Sequence, residues 1–224
     1  MIGAGLRDRG VVDGTWRHMA ELLELHPRNP QQRFIHMAVD VLQRHGVVVY
    51  PTDSCYALGC VMGAKEAMER IQRIRQTDKR HFFTLVCRDL SEIARFARVE
   101  NWQYRTLKAF TPGPYTFVLQ ATREVPRRLM NEKRRTVGIR VPDHPVVRML
   151  LDELHVPLMS TTLLLPGDEH PMTDAGEIFE RIGHAVDVVL DGGNCGLEPT
   201  TVVDLSGEAP AVIRVGKGDP APFQ

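Results

Sequence analysis

The chain has 224 residues, enough to bury one substantial core, and its 43% apolar and 25% charged content is that of a globular protein, not a disordered one. Equal numbers of basic and acidic residues, 28 of each, exclude a protein that coats nucleic acid by bulk charge, while leaving room for a local basic face. No apolar run approaches the roughly 18 residues needed to cross a bilayer, so no membrane partner is expected. Four cysteines without a CxxC pair point to reduced thiols in a cytoplasmic protein, and neither they nor the nine scattered histidines form a metal-binding signature.

Residues 1–18 carry glycines and mixed charges and lack the apolar segment of a secretory signal, so they read as a disordered N-terminal arm. Met19 is a candidate translation start in place of Met1, because the chain turns apolar and helix-like directly after it, at Ala20, Leu22, Leu23 and Leu25. The folded domain is expected over 19–224. A helix is predicted over 30–45, with Asn29 as N-cap, Pro30 in the first turn and Gly46 as the stop. A β-branched strand follows at 47–50, and a helix over 64–75 puts Met68, Ile71 and Ile74 on one face. Further strands are predicted at 82–86, 115–121, 137–141 and 157–161, with two short helices between 91 and 109 and longer ones at 145–154 and 174–182. Strands at 186–190, 201–205 and 212–215 close the chain. This alternation predicts a single-domain α/β architecture, and the last three strands, which lack intervening helices, make its sheet mixed.

The run Val47-Val48-Val49-Tyr50-Pro51-Thr52-Asp53-Ser54 ends an apolar strand in three small oxygen-bearing side chains. Strand ends of this kind are where open α/β sheets hold ligands, although the same residues also make ordinary turns. Hydroxyls recur at two other strand ends, Ser160-Thr161-Thr162 and Thr200-Thr201. Arg140 sits inside the strand-like Val137-Gly138-Ile139-Arg140-Val141, where a charge needs a carboxylate or an anionic ligand beside it. Basic residues crowd two segments. One holds Arg123, Arg127, Arg128, Lys133, Arg134 and Arg135, and the other Arg70, Arg73, Arg75, Lys79 and Arg80. Along one groove they would suit ATP or an RNA backbone; otherwise they are solvated charge. There is no GxxxxGK[ST] loop and no Gly-x-Ser-x-Gly elbow, and Gly192-Gly193-Asn194-Cys195-Gly196 leads toward a strand and reads as a turn.

These motifs together resemble the YrdC-like family, which includes the threonylcarbamoyl-adenylate synthases. The resemblance runs from 47–60 through 111–116, 137–142 and 199–204 into Ile213-Arg214-Val215-Gly216, in the family's order. Asn29-Pro30-Gln31-Gln32-Arg33, Phe83-Thr84-Leu85 and Val125-Pro126-Arg127-Arg128-Leu129 are similar to the YciO branch. The resemblance implies a YrdC-like fold with a concave basic face. It also implies activity on ATP, L-threonine and bicarbonate, with magnesium accompanying ATP, giving threonylcarbamoyl-adenylate and pyrophosphate for tRNA modification. Binding of double-stranded RNA or tRNA by the same face is the alternative that it offers.

Carried over by position, the resemblance puts Thr52, Asp53, Ser54, Tyr56, Thr116, Ser160, Thr162, Thr201 and Arg214 at the substrate and nucleotide, with Arg75 and Arg140 in catalytic roles. Arg127, Arg128, Lys133, Arg134, Arg135, Lys79 and Arg80 would form the phosphate or RNA patch. Two departures stand out. Where synthases carry Lys-x-Arg, this chain has Arg75-Gln76-Thr77, and where they carry Ser-Ala-Asn it has Thr162-Leu163-Leu164. A planar fork replaces a point charge, one cation is lost, and an amide becomes an alkyl group. The resemblance therefore implies either a slower or altered synthase, or a non-catalytic RNA-binding module.

Overall fold

The computed structural model describes residues 11–12, 15–16, 19–76, 83–131 and 133–224. Of the N-terminal arm, β1 (Val11–Val12) and β2 (Thr15–Trp16) form a small antiparallel pair, and the rest lies outside the described residues. The main elements are β3 (Glu21–Glu24), α1 (Gln32–Gln43), β4 (Val48–Tyr50), β5 (Ala57–Val61), α2 (Lys65–Arg75), β6 (Thr84–Val86), α3 (Leu90–Phe96) and α4 (Asn101–Phe110). They continue through β7 (Tyr115–Gln120), β8 (Thr136–Arg140), α5 (Pro145–Leu154), β9 (Leu158–Thr162), α6 (Ala175–Ile182), β10 (Val188–Asp191), β11 (Thr201–Asp204) and β12 (Ala211–Arg214). Ten strands form one mixed sheet in the order β12-β11-β7-β8-β6-β9-β5-β4-β10-β3, so the α/β, single-domain architecture is observed.

The helices follow from spacing. Ile35, Ala38, Val39 and Leu42 bury one face of α1, which packs on α5, β4, β5 and β10. Its N-cap is Gln31, in extended backbone, and not Asn29. The Gln31 side chain turns away from the helix to accept a bond from the His26 amide at 3.0 Å, so α1 starts without a side-chain cap. Asp174 caps α6 by accepting from the Glu177 amide at 2.8 Å. His144 caps α5 through Nδ1, directly before Pro145.

Two elements correct the sequence reading. The leucines after Met19 form β3, a strand rather than a helix, lying parallel to β10 at the sheet edge, with Leu22 opposite Val189 and Leu23 opposite Leu190. Residues 57–61, which carried no strand expectation, return antiparallel to β4 as β5, with Tyr50 opposite Ala57. Close approach requires glycine there, since a Cβ on Gly59 would lie 2.6 Å from the Tyr50 ring. Phe82, expected to open β6, lies outside the described residues.

Strand alternation divides the sheet's middle into two faces. Leu58, Cys60, Leu85, Phe117, Leu119, Val137, Ile139 and Met159 enter the core. On the opposite face, registers align Gly59 with Ser160, Ser160 with Thr84, Thr84 with Gly138, and Gly138 with Val118. That face is paved with hydroxyls and glycines instead of large apolar side chains. At the C-terminus, Phe223 joins Phe110, Tyr115 and Phe117, with its ring 4.7 Å from that of Phe110. This packing fixes the segment that carries Gly216-Lys217-Gly218 against β7. No helix among the described residues is long and apolar enough to cross a membrane.

Candidate functional site

The paved face is the floor of a cleft of about 470 Å³. Thr84, Thr116, Thr136, Gly138 and Ser160 line it, and Arg75, Arg134, Arg140 and Arg214 form its walls. Glu169 is the one carboxylate among the described lining residues. Tyr50 lies across Gly59 on the same face of the sheet and donates to Ser160 Oγ at 2.6 Å, which leaves the serine's own proton free to point into the cleft. Burial pushes the Tyr50 phenol up to about 12, so it stays a donor throughout the physiological range.

The Pro51–Tyr56 loop joins β4 to β5 at one end of the cleft. Thr52 knits it from within, donating to the Cys55 carbonyl at 2.7 Å and accepting from the Ser54 amide at 3.1 Å. Asp53 pairs with Arg140, both side chains being about nine-tenths buried, and accepts from the Asp143 amide at 2.9 Å. Arg140 Nη1 lies 3.4 Å from Ser54 Oγ, and its Nε is buried without a partner. Lys217 donates to the Asp53 carbonyl and fastens the C-terminal segment to this loop. Cys55 lines the cleft, yet burial lifts its thiol to about 11 against the pull of Arg140, Lys217 and Arg214. It is a neutral thiol there, not a nucleophile.

Two of the four arginines have carboxylate partners: Arg140 has Asp53, and Arg134 has Asp204 at 2.5 Å. The other two make no ion pair among the described residues. Arg75 ends α2, donates to the Thr162 carbonyl and keeps a buried, unpartnered Nε. Arg214 donates through Nε and Nη2 to the Thr200 carbonyl at 3.2 and 2.8 Å. Burial lowers the pKa of both guanidinium groups from the ordinary 12.5, which leaves them charged at neutral pH. Two partly desolvated cations held by neutral carbonyl and hydroxyl oxygens, with no ion pair among the described residues, favour anionic ligands.

The structure brings together Ser54, Arg75, Thr116, Arg140, Ser160, Thr162 and Arg214 in one cleft. Other predicted positions lie elsewhere. Thr52 and Asp53 act behind the wall, as the loop's staple and as the partner of Arg140. Tyr56 points away from the cleft and donates to the Gly193 carbonyl at 2.7 Å, tying the loop to the glycine-rich turn. Thr201 is fully buried, donating to the Gly218 carbonyl at 2.5 Å and accepting from the Gly216 amide at 2.9 Å. Its neighbour Thr200 faces the cleft instead, 2.8 Å from Thr116 Oγ1.

The basic patch divides as well. Arg134 enters the wall, while Arg123, Arg127, Lys133 and Arg135 are exposed on the connection between β7 and β8. Arg70 is tied to Asp187 at 2.9 Å and Arg73 to the Glu69 carbonyl, and neither lines the cleft. Thr77, Lys79, Arg80 and the Arg128 side chain lie outside the described residues. Sequence reasoning singled out the Thr200-Thr201 pair but assigned the ligand contact to Thr201, and it missed Thr84, Thr136 and Lys217. Lone threonines in strands signal only β propensity, and register alone aims them at the cleft. Leu164, at the second departure from the synthase pattern, lines the cleft too.

A mixed sheet whose open face is floored by hydroxyls and walled by arginines defines an α/β domain with a cleft whose donors suit an anionic ligand. A family model named Sua5/yciO/yrdC, described as telomere recombination, matches residues 40–216, and the chain belongs to that family. YciO of Escherichia coli K12 is 51% identical over 205 residues, covering 92% of this chain and all of that one. The crystal structure of E. coli YciO matches with a TM-score of 0.88 over the same share of both chains. A threonylcarbamoyl-AMP synthase of Serratia proteamaculans is 29% identical over 174 residues, 76% of this chain and 91% of its own. The crystal structure of P. abyssi Sua5 complexed with L-threonine shares the fold, with a TM-score of 0.80 at 23% identity over 87% of this chain and 57% of that one.

Proposed function

We propose that this protein is a cytoplasmic threonylcarbamoyl-adenylate synthase of altered efficiency, using ATP, L-threonine and bicarbonate. The observation that carries the reading is the pair Arg75 and Arg214, cations without carboxylate partners among the described residues, facing one cleft beside Arg140 and Ser54. Family membership and the relation to named synthases support it. In this chemistry a carbamate oxygen, formed from threonine and bicarbonate, makes a new bond to the α-phosphorus of ATP. The bond from that phosphorus to the bridging oxygen breaks, and pyrophosphate leaves with the electron pair. The protein's share is alignment and charge neutralisation: arginines at the phosphates, and Ser160, Thr84 and Thr116 at substrate oxygens. No cluster of three or more His, Cys, Asp or Glu among the described residues has the donor set of a metal site. Magnesium in this reading arrives on the triphosphate as part of the substrate.

The test is pyrophosphate release with mass detection of the adenylate, from protein given ATP, magnesium, L-threonine and bicarbonate. Product that requires every substrate supports the reading, and no product beside a working synthase control removes it. A second reading, RNA binding, draws on the exposed Arg123, Arg127, Lys133 and Arg135 next to the cleft wall. It requires binding to double-stranded RNA or tRNA that weakens steeply with salt, and flat or undetectable binding rejects it.

A further inference from the structure

One hydroxyl on the floor of the cleft holds a proton for which the described residues offer no acceptor. Ser160 is 5% exposed, and its Oγ accepts the Tyr50 phenol at 2.6 Å. The tyrosine is the donor in this bond. Its hydroxyl is fully buried with no other acceptor among the described residues, so a proton turned away from Ser160 would be orphaned. The serine's own proton then points away from Tyr50, and no described residue accepts it. A donor so deeply buried calls for an acceptor, and the cleft in front of Ser160 is where one can enter. Tyr50 takes this position because the strand between carries glycine. Tyr50 lies on β4 opposite Ala57, Ser160 lies on β9 opposite Gly59, and a Cβ on Gly59 would come within 2.6 Å of the ring. The phenol thus spans β5 to reach β9.

We propose that Tyr50 is a positioning residue for ligand binding: it fixes the Ser160 hydroxyl as a donor aimed into the cleft, where that donor meets an anionic oxygen of the ligand. The proposal rests on the synthase reading above and adds a residue that acts through its neighbour and not by touching the ligand. A serine left alone rotates its proton among several directions and accepts as readily as it donates. With the phenol bonded to its oxygen, Ser160 turns its proton to the cleft, so binding need not order it first. The charge of Arg140 bears on the phenol, and Thr84 sits beside Ser160 across the β6–β9 register, so this donor belongs to the cationic part of the floor. Carboxylate and phosphate oxygens fit such a point, and an ammonium group does not.

Isothermal titration of the full chain with L-threonine and with magnesium-ATP, each alone and in the presence of the other, tests this. The proteins compared are wild type, Tyr50→Phe, Ser160→Ala and the double variant. Ser160→Ala should weaken at least one of the two ligands by about tenfold, which marks the ligand that meets the hydroxyl. Tyr50→Phe should weaken that same ligand by about fivefold. In the Ser160→Ala background the tyrosine substitution should change affinity by less than about twofold, because no hydroxyl is left to aim. A tyrosine that only packs would cost as much in both backgrounds, and that result overturns the proposal, as does wild-type affinity in Tyr50→Phe. Unchanged affinity of Ser160→Ala for both ligands overturns it too, since the hydroxyl then meets neither. Those three outcomes leave the synthase reading standing. Failure of the wild-type chain to bind either ligand removes that reading, and the proposal with it.

Discussion

The Asp53–Arg140 pair offers the sharpest test of how the cleft is held. Its side chains are 11% and 9% exposed, so water screens the pair little, and Asp53 also accepts the Asp143 amide at 2.9 Å. Asp53→Ala leaves a buried guanidinium with Ser54 Oγ at 3.4 Å as its remaining side-chain partner among the described residues. Removing one member of a buried pair costs about 3–5 kcal/mol. For a chain of this size that lowers Tm by roughly 6–20 °C at 2–4 °C per kcal/mol. Arg140→Met fills similar space without charge and strands the carboxylate instead, with a loss of similar order. The double variant orphans neither charge, so it should be more stable than the sum of the single losses predicts by about 2 kcal/mol or more. Urea denaturation of all four proteins closes the cycle. Losses that add to within about 0.5 kcal/mol would refute the claim that the two groups answer each other across the cleft wall.

Tyr50→Phe keeps the ring packed over Gly59 but removes the donor to Ser160, and should cost about 1 kcal/mol in urea denaturation. Burial holds the His144 imidazole below its ordinary 6.5, against the opposing pull of Asp53 and Asp143, and its neutral Nδ1 caps α5. The unfolded chain thus binds a proton that the folded chain refuses, so this contribution is complete well above pH 6.5 and drains away as pH falls through that value. His144→Asn retains a capping acceptor that does not titrate, and should flatten the pH dependence of stability between about pH 5 and 7. In the synthase assay, Leu164→Asn combined with Thr77→Arg should raise adenylate formation by about tenfold or more. A folded double variant without any gain would show that these two positions do not limit the chemistry.

Local pattern carried most of the architecture. The helical spacing in α1, α2 and α5 and the β-branched runs of β4, β8 and β10 are decided by side chains three, four or two residues apart, and these are visible along the chain. The Pro51–Tyr56 loop and Arg140 were legible for a different reason. An interrupted apolar strand and a charge inside another are local anomalies that require a partner, and they found each other.

Long-range pairing decided the rest. Nothing within 21–24 distinguishes an edge strand from a short helix until β10 supplies the register. Thr200 and Thr201 are chemically alike, yet adjacent strand residues face opposite ways, so one meets the cleft and the other is consumed by the backbone of Gly216 and Gly218. Likewise Thr84 and Gly138 mean little alone and become a ligand floor only when β6, β8 and β9 align them with Ser160. Sequence by itself determined most of the helices and strands, β3 and β5 excepted, and which residues carry charge. Tertiary structure decided which charges lose their counter-ions and which hydroxyls share a face, because both depend on neighbours distant in the chain.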